Sequence, residues 1–272
     1  MAQIFRRMLL ATERTEFDAG AERVALALAQ RCQRPLGVVM PLASNAEYEA
    51  VAPQLAAQAD RDAAIRLQPL REQAHAAGVA IDLHVRRGAD AWREIVDDAQ
   101  ERGADLVIIR RRGRRSFLAR LLVGEMVGQV VAHAQCSVLV VPRDAGLWTR
   151  RVLLAAKPDE AGATSLQLAL AVAAECALPL HVLCMVGGNA TARHGAEAFV
   201  DTALQRAAHY GVAATGEVLV GTAAAQVLAT SRREEADLLV LERGSVAHEV
   251  TGQAECAVLL TPNLTPKKDA PT

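Results

Sequence analysis

Aromatic side chains are scarce: the 272 residues include two Trp, two Tyr and four Phe. Single-stranded nucleic acid is held largely by stacking its bases on such rings, so this chain has little to offer it. An excess of one charge is missing too. Thirty Lys and Arg nearly cancel thirty-one Asp and Glu, leaving a formal net charge of −1 and no broad field toward nucleic acid or membrane. The five cysteines (Cys32, Cys136, Cys176, Cys184 and Cys256) form no CxxC pair, and an odd number fits a reducing compartment better than a disulfide framework. The seven histidines show no metal-ligand spacing. The longest apolar stretch, Leu166 to Val186, is broken by Gln167, Glu175, Pro179 and His181, which excludes a spanning helix there. The opening MAQIFRRMLLATERTE has no small-residue cleavage site and reads as a strand, not a signal peptide. A soluble cytoplasmic protein is the expectation.

What is abundant is Ala, Val and Leu, arranged twice. Arg6-Arg7-Met8-Leu9-Leu10-Ala11 recurs as Arg150-Arg151-Val152-Leu153-Leu154-Ala155, 144 positions on. At that offset Cys32-Gln33-Arg34-Pro35-Leu36 answers to Cys176-Ala177-Leu178-Pro179-Leu180. Gly103-Ala104-Asp105-Leu106-Val107 returns as Glu235-Ala236-Asp237-Leu238-Leu239 at 132, and Gln135-Cys136-Ser137-Val138-Leu139 as Glu255-Cys256-Ala257-Val258-Leu259 at 120. The second copy has therefore lost two pieces of about a dozen residues each, and a period this long is a domain duplication rather than a solenoid.

Each copy alternates strands and helices. Buried strands at Met8–Ala11 and Val152–Ala155 precede helices whose stripes run Ala21, Val24, Ala25, Leu28, Cys32 and Ser165, Leu168, Ala169, Val172, Cys176. Pro35 and Pro179 open second strands. A long helical region over about 46–77 follows, with Pro69 expected to kink or split it. Gly78 and Gly211 read as left-handed caps before the third strands. A short helix at Trp92, Ile95, Val96 and Ala99 leads to the apolar strand Asp105–Ile109. A helix at Met126, Val127, Val130 and Val131 then precedes Ser137–Val141. Strands apolar throughout, alternating with helices, specify α/β architecture: two tandem doubly wound parallel-sheet domains, each an α/β/α sandwich. The expected boundaries are 1–144 and 150–262, with a linker around 145–149 and a disordered tail over 263–272.

Val85 to Val96, Gly103 to Ile109, Gly124 to Val127 and Val131 to Pro142 together resemble the universal stress protein family, and both copies fit it. The resemblance implies a Rossmann-like, adenine-nucleotide-hydrolase-like fold. It also implies pairing of the final strands, Ser137–Val141 with Ala257–Leu260, into an intramolecular pseudo-dimer, with a further homodimer left open. In ATP-binding members an acidic residue ends strand one, and a G-x-x-G-x9-G-[ST] loop after strand four wraps the phosphates with backbone N–H groups. Here Glu13, beside Thr12, stands near the acidic position and Arg14 replaces a glycine. Arg110 replaces the first loop glycine, Gly113 keeps the second, Gly124 matches the third, and Glu125 replaces the Ser/Thr. A carboxylate beside a phosphate is repulsive. In the second copy Lys157 takes the acidic place, and the loop is deleted although Gly244-Ser245 keeps the Gly-Ser pair.

The run Arg110-Arg111-Arg112-Gly113-Arg114-Arg115 reads first as a solvated loop at the carboxyl edge of the sheet; its sharper reading is anion capture. Glu13 and Glu125 read as a drifting site salt-bridged to these arginines rather than as an acid–base pair. Ser245, His248 and Glu249 lie too close together on one helix to form a triad. No enzyme is expected. The sequence points to a stress-response protein acting through contacts with an unnamed protein partner, with no nucleic acid, membrane or metal and little or no ATP. The alternative is an ATP- or AMP-binding regulator using Thr12, Glu13, Gly113, Gly124 and the backbone near Val39, with Arg110 and Arg114 neutralising phosphates.

Overall fold

The computed structural model describes residues 4–44, 49, 51–111, 119–187, 190–221 and 224–262, the side chains of 119–125 and 190 excepted. The first half runs β1 (Met8–Ala11), α1 (Ala19–Cys32), β2 (Leu36–Ala43), α2 (Pro53–Ala76), β3 (Ile81–Gly88), α3 (Ala91–Glu101), β4 (Leu106–Arg110), α4 (Ala119–His133) and β5 (Ser137–Val141). The second runs β6 (Val152–Ala156), α5 (Glu160–Cys176), β7 (Leu180–Val186), α6 (Ala190–His209), β8 (Ala214–Val220), α7 (Ala224–Arg233), β9 (Leu238–Glu242), α8 (Ser245–Gln253) and β10 (Ala257–Thr261). All ten strands form one sheet in the order β3-β2-β1-β4-β5-β10-β9-β6-β7-β8.

Strand pairing is parallel except where β5 meets β10. There Leu139 faces Leu259, with Val138 opposite Leu260 and Val140 opposite Val258. Leu139 and Leu259 are equivalent residues of the two copies, so a pseudo-two-fold axis passes between them. Alternation along the central strands feeds two cores. Met8 and Leu10 pack under α1 and α2, while Leu9 and Ala11 pack under α3 and α4. A strand buried on both faces must be apolar at every position, which is why these segments read as unbroken hydrophobic runs.

The repeated Gly-Ala-Asp sequence has a backbone role. The Asp105 carboxylate accepts from the N–H groups of Arg6 and Arg7 at 2.7 and 3.1 Å. Its counterpart Asp237 accepts from those of Thr149, Arg150 and Arg151 at 2.7, 2.9 and 3.0 Å. Each carboxylate thus satisfies the donors that precede the first strand of its half. Gly78 and Gly211 adopt φ of +67° and +69°, the left-handed caps the sequence suggests. The helix ends before Pro35 and Pro179 turn instead on non-glycine residues, Gln33 and Ala177, at φ of +52° and +53°.

Two expectations change. Pro69 does not split α2, because it lies on the exposed face, where water meets the carbonyl that its missing N–H leaves free. The connection over 145–149 is not a plain linker, because Trp148 is 1% exposed within the core and its indole N–H donates to Cys176 Sγ at 3.3 Å. Part of the expected long helix falls at 45–48 and 50, and the tail at 263–272; both lie outside the described residues.

The seam carries a reciprocal pair of arginines. Arg243, following β9, donates from Nη1 to the Ala134 carbonyl at 2.6 Å and from Nη2 to that of Cys136. Its counterpart Arg111, following β4, donates to the carbonyl of Ala254, the counterpart of Ala134. Each cation therefore satisfies carbonyls just beyond the helix of the opposite half, where the helix dipole also favours positive charge. Arg243→Ala should cost about 1.5–3 kcal/mol in chemical denaturation, since charge-assisted bonds to half-buried carbonyls are lost. Arg150→Ala, removing an exposed side chain 3.8 Å from its partner Asp237, should stay within about 0.5 kcal/mol of the parent.

Candidate functional site

The strand order reverses between β1 and β4, and in an open α/β sheet the crevice beyond the carboxyl ends at such a switch point is where ligands bind. Ala11, Thr12, Glu13, Asp18, Pro41, Ile95, Ile109, Arg110 and Met126 line that crevice. Its volume is about 10 Å³, room for one water molecule.

Arg110 fills it. It is the last residue of β4 and only 3% exposed, so the solvated-loop reading fails for this arginine: the strand carries it inward, between β1 and α1. Nη1 donates to Thr15 Oγ1 at 2.6 Å and to Asp18 Oδ2 at 3.0 Å; Nη2 donates to Glu13 Oε2 at 2.5 Å. Asp18 is 1% exposed and also accepts from the Thr15 N–H and hydroxyl at 2.8 and 2.6 Å. A buried cation is tolerable only when paired and hydrogen-bonded, and Arg110 is both.

A second layer lies beside it. Thr12 Oγ1 donates to Glu22 Oε1 at 2.7 Å and accepts from the Arg14 N–H at 2.9 Å. Arg14 Nη1 pairs with the other Glu22 oxygen, and Arg14 Nε donates to the Arg66 carbonyl of α2 at 3.0 Å. Arg14 sits at φ +55°, a left-handed conformation costing a side-chain-bearing residue about 1–2 kcal/mol, at the position where the family resemblance has glycine. Burial, first of all, pushes the Glu22 carboxyl above the usual range; the Asp18 charge adds to this, while Thr12 and Arg14 oppose it. The Val39 carbonyl accepts from the Thr12 N–H at 3.0 Å.

The second half reverses the polarity. Lys157 stands where Glu13 does, and Glu242 where Arg110 does. The Glu242 carboxylate accepts from the Lys157 N–H at 3.2 Å, and burial raises its proton affinity. Asp159 caps α5 by accepting from the Gly162 N–H at 2.8 Å. Gly244 is the N-cap of α8 at φ +153°, with exposed Ser245 opening the helix. In the first half the switch point is closed by an ion-paired guanidinium, whereas in the second the carboxylate at the matching position meets a backbone N–H.

Of the residues singled out in sequence, Thr12, Glu13 and Arg110 meet at one crevice, with the Val39 backbone beside it. Gly113 and Arg114 lie outside the described residues. Gly124 and Glu125 fall within α4, their side chains likewise outside. Thr15, Asp18 and Glu22 went unnoticed, although Asp18 and Glu22 continue the spacing of Ala25 and Ala29, carboxylates on a buried stripe. Cys176 and Cys184 are buried, and burial pushes the Cys184 thiol up to about 12. Among the described residues no group of three His, Cys, Asp or Glu is placed to hold a metal ion, and no helix is long and apolar enough to cross a membrane.

Fold and crevice define a doubled, doubly wound α/β protein whose first switch point is filled from within. The sequence model of the universal stress protein family matches residues 4–142, and the chain belongs to that family. The universal stress protein Sll1388 of Synechocystis sp. is 28% identical over 152 residues, 50% of this chain and 97% of that protein. A universal stress protein from Archaeoglobus fulgidus superposes with a TM-score of 0.72 at 18% identity, covering 94% of this chain and 96% of its own. The functionally unknown protein PA1789 of Pseudomonas aeruginosa superposes at 0.68 with 19% identity, covering 96% and 94%. At such identities the superpositions establish the fold, extended over both halves.

Glu22 makes the site sensitive to pH. Its folded-state proton affinity lies above the unfolded one, so its contribution to stability is greatest in acid and declines as pH rises through the interval between them. Glu22→Gln cannot titrate. From about pH 4 to about pH 7 the urea midpoint of the parent should therefore fall relative to that of the variant. A difference flat across that range, or of opposite slope, contradicts the assignment.

Proposed function

We propose that this family member is a non-catalytic stress-response protein that acts through contacts with another protein and binds ATP weakly or not at all. Family membership supports the stress-response role. The weak-binding part rests on one observation: the position from which a phosphate loop would start is taken by a buried guanidinium already paired to Glu13 and Asp18. A triphosphate entering there would have to displace Arg110 and then face two carboxylates, one of them 1% exposed. A nucleotide-binding regulator using the first half alone needs that displacement, and among the described residues nothing in the crevice favours it.

The reading takes 1–144 and 150–262 as two domains and assigns the second no nucleotide either, since Glu242 lies at the carboxyl end of β9 where Arg110 lies in the first. The unpaired cysteines support a cytoplasmic setting. Titration calorimetry of the whole chain with ATP, ADP and AMP tests the central claim. No saturable heat is expected up to about 1 mM nucleotide, whereas a micromolar dissociation constant for any of the three overturns it.

A further inference from the structure

We propose that the crevice between β1 and β4 is a guanidinium receptor, occupied in cis by Arg110, so that emptying it creates a site for an alkylguanidinium and not for a nucleotide. The proposal rests on the closed-crevice reading and adds the ligand chemistry. Its observation is the coordination of the Arg110 head group. Three acceptors from the β1–α1 connection converge on one side-chain fork: Thr15 Oγ1 and Asp18 Oδ2 on Nη1, and Glu13 Oε2 on Nη2. The fork is 4% exposed and Asp18 1%, so both have left water, and the void remaining beside them holds about one water molecule.

A planar guanidinium presents donors at fixed angles, which this acceptor set matches; a compact ammonium is a point charge that would satisfy fewer of them. Asp18 is itself fixed by the Thr15 N–H and hydroxyl, while the Glu13 backbone is held by the Arg66 side chain at 3.5 Å and its carboxylate, 37% exposed, closes the outer side. Removing the arginine therefore leaves a preformed pocket lined by Glu13, Thr15 and Asp18. That lining is acidic, so losing Arg110 does not restore an anion site.

The test uses full-length Arg110→Ala. Its melting midpoint should fall below that of the parent. Ethylguanidinium at about tenfold excess over its dissociation constant should then raise the variant's midpoint by about 3–6 °C. The same concentration should leave the parent unchanged or lower. Ethylammonium should give less than half the rise, and ATP none. Equal rescue by ethylammonium, absence of rescue, or micromolar ATP affinity in the variant overturns the proposal. The parent supplies a second readout should the variant not fold: by NMR, rotation of the Arg110 guanidinium should be slowed at least tenfold relative to exposed Arg150. Rotation as fast as that of Arg150 also overturns it. These results are separate from nucleotide titration of the parent, which bears on the closed-crevice reading alone.

Discussion

A guanidinium taken out of water must find acceptors on every side it can, and the first half of this protein is organised around that requirement at Arg110. β4 delivers the cation inward, the turn after β1 supplies Glu13 and Thr15, and the start of α1 supplies Asp18. These groups are committed to one another in the crevice that the α/β topology leaves at its switch point. The same topology in the second half carries residues of exchanged charge at the matching positions, Lys157 for Glu13 and Glu242 for Arg110. Closure by an internal ion pair is thus seen in the first copy, while in the second the half-buried carboxylate is met by a backbone N–H.

Architecture was legible in the sequence because it rests on patterns that repeat. Uninterrupted apolar strands and the recurrence of Met8–Ala11 as Val152–Ala155 specified the doubly wound sheet, and the glycines at 78 and 211 marked two helix ends. The recurring Asp105 and Asp237 were visible as a repeat, but their reason is a hydrogen-bond pattern to a neighbouring strand that no local window contains. The site was half legible. Replacing a loop glycine by Arg110 signalled that phosphate contacts were lost; where the side chain went depended on α1 lying against β4. Asp18 and Glu22 were hidden because carboxylates on a buried helical face look like errors of pattern until their cations are brought beside them, Arg110 from far along the chain for Asp18 and Arg14 from the preceding turn for Glu22. The splitting half of the Pro69 expectation fails because the proline lies on the exposed side of a helix that runs on through it.

The two cores depend differently on the repeat. On one face of the sheet Trp148 joins the halves, buried among residues of both. On the other face Arg111 and Arg243 cross the seam in opposite directions. The second copy has shed one segment around its second helix and another before its fourth, yet the contacts nearest the pseudo-two-fold axis are matched residue for residue, Leu139 with Leu259 and Ala134 with Ala254.

That matching has a thermodynamic corollary for the tandem arrangement. A seam whose two sides are interchangeable is one that a single half could form with an identical neighbour, but only as often as two molecules meet. Joining the halves through the short connection at Trp148 replaces that encounter by a fixed local concentration, so the paired state survives dilution. The chain carries its own association partner, and the abundance of the protein in the cell ceases to govern whether β5 finds β10.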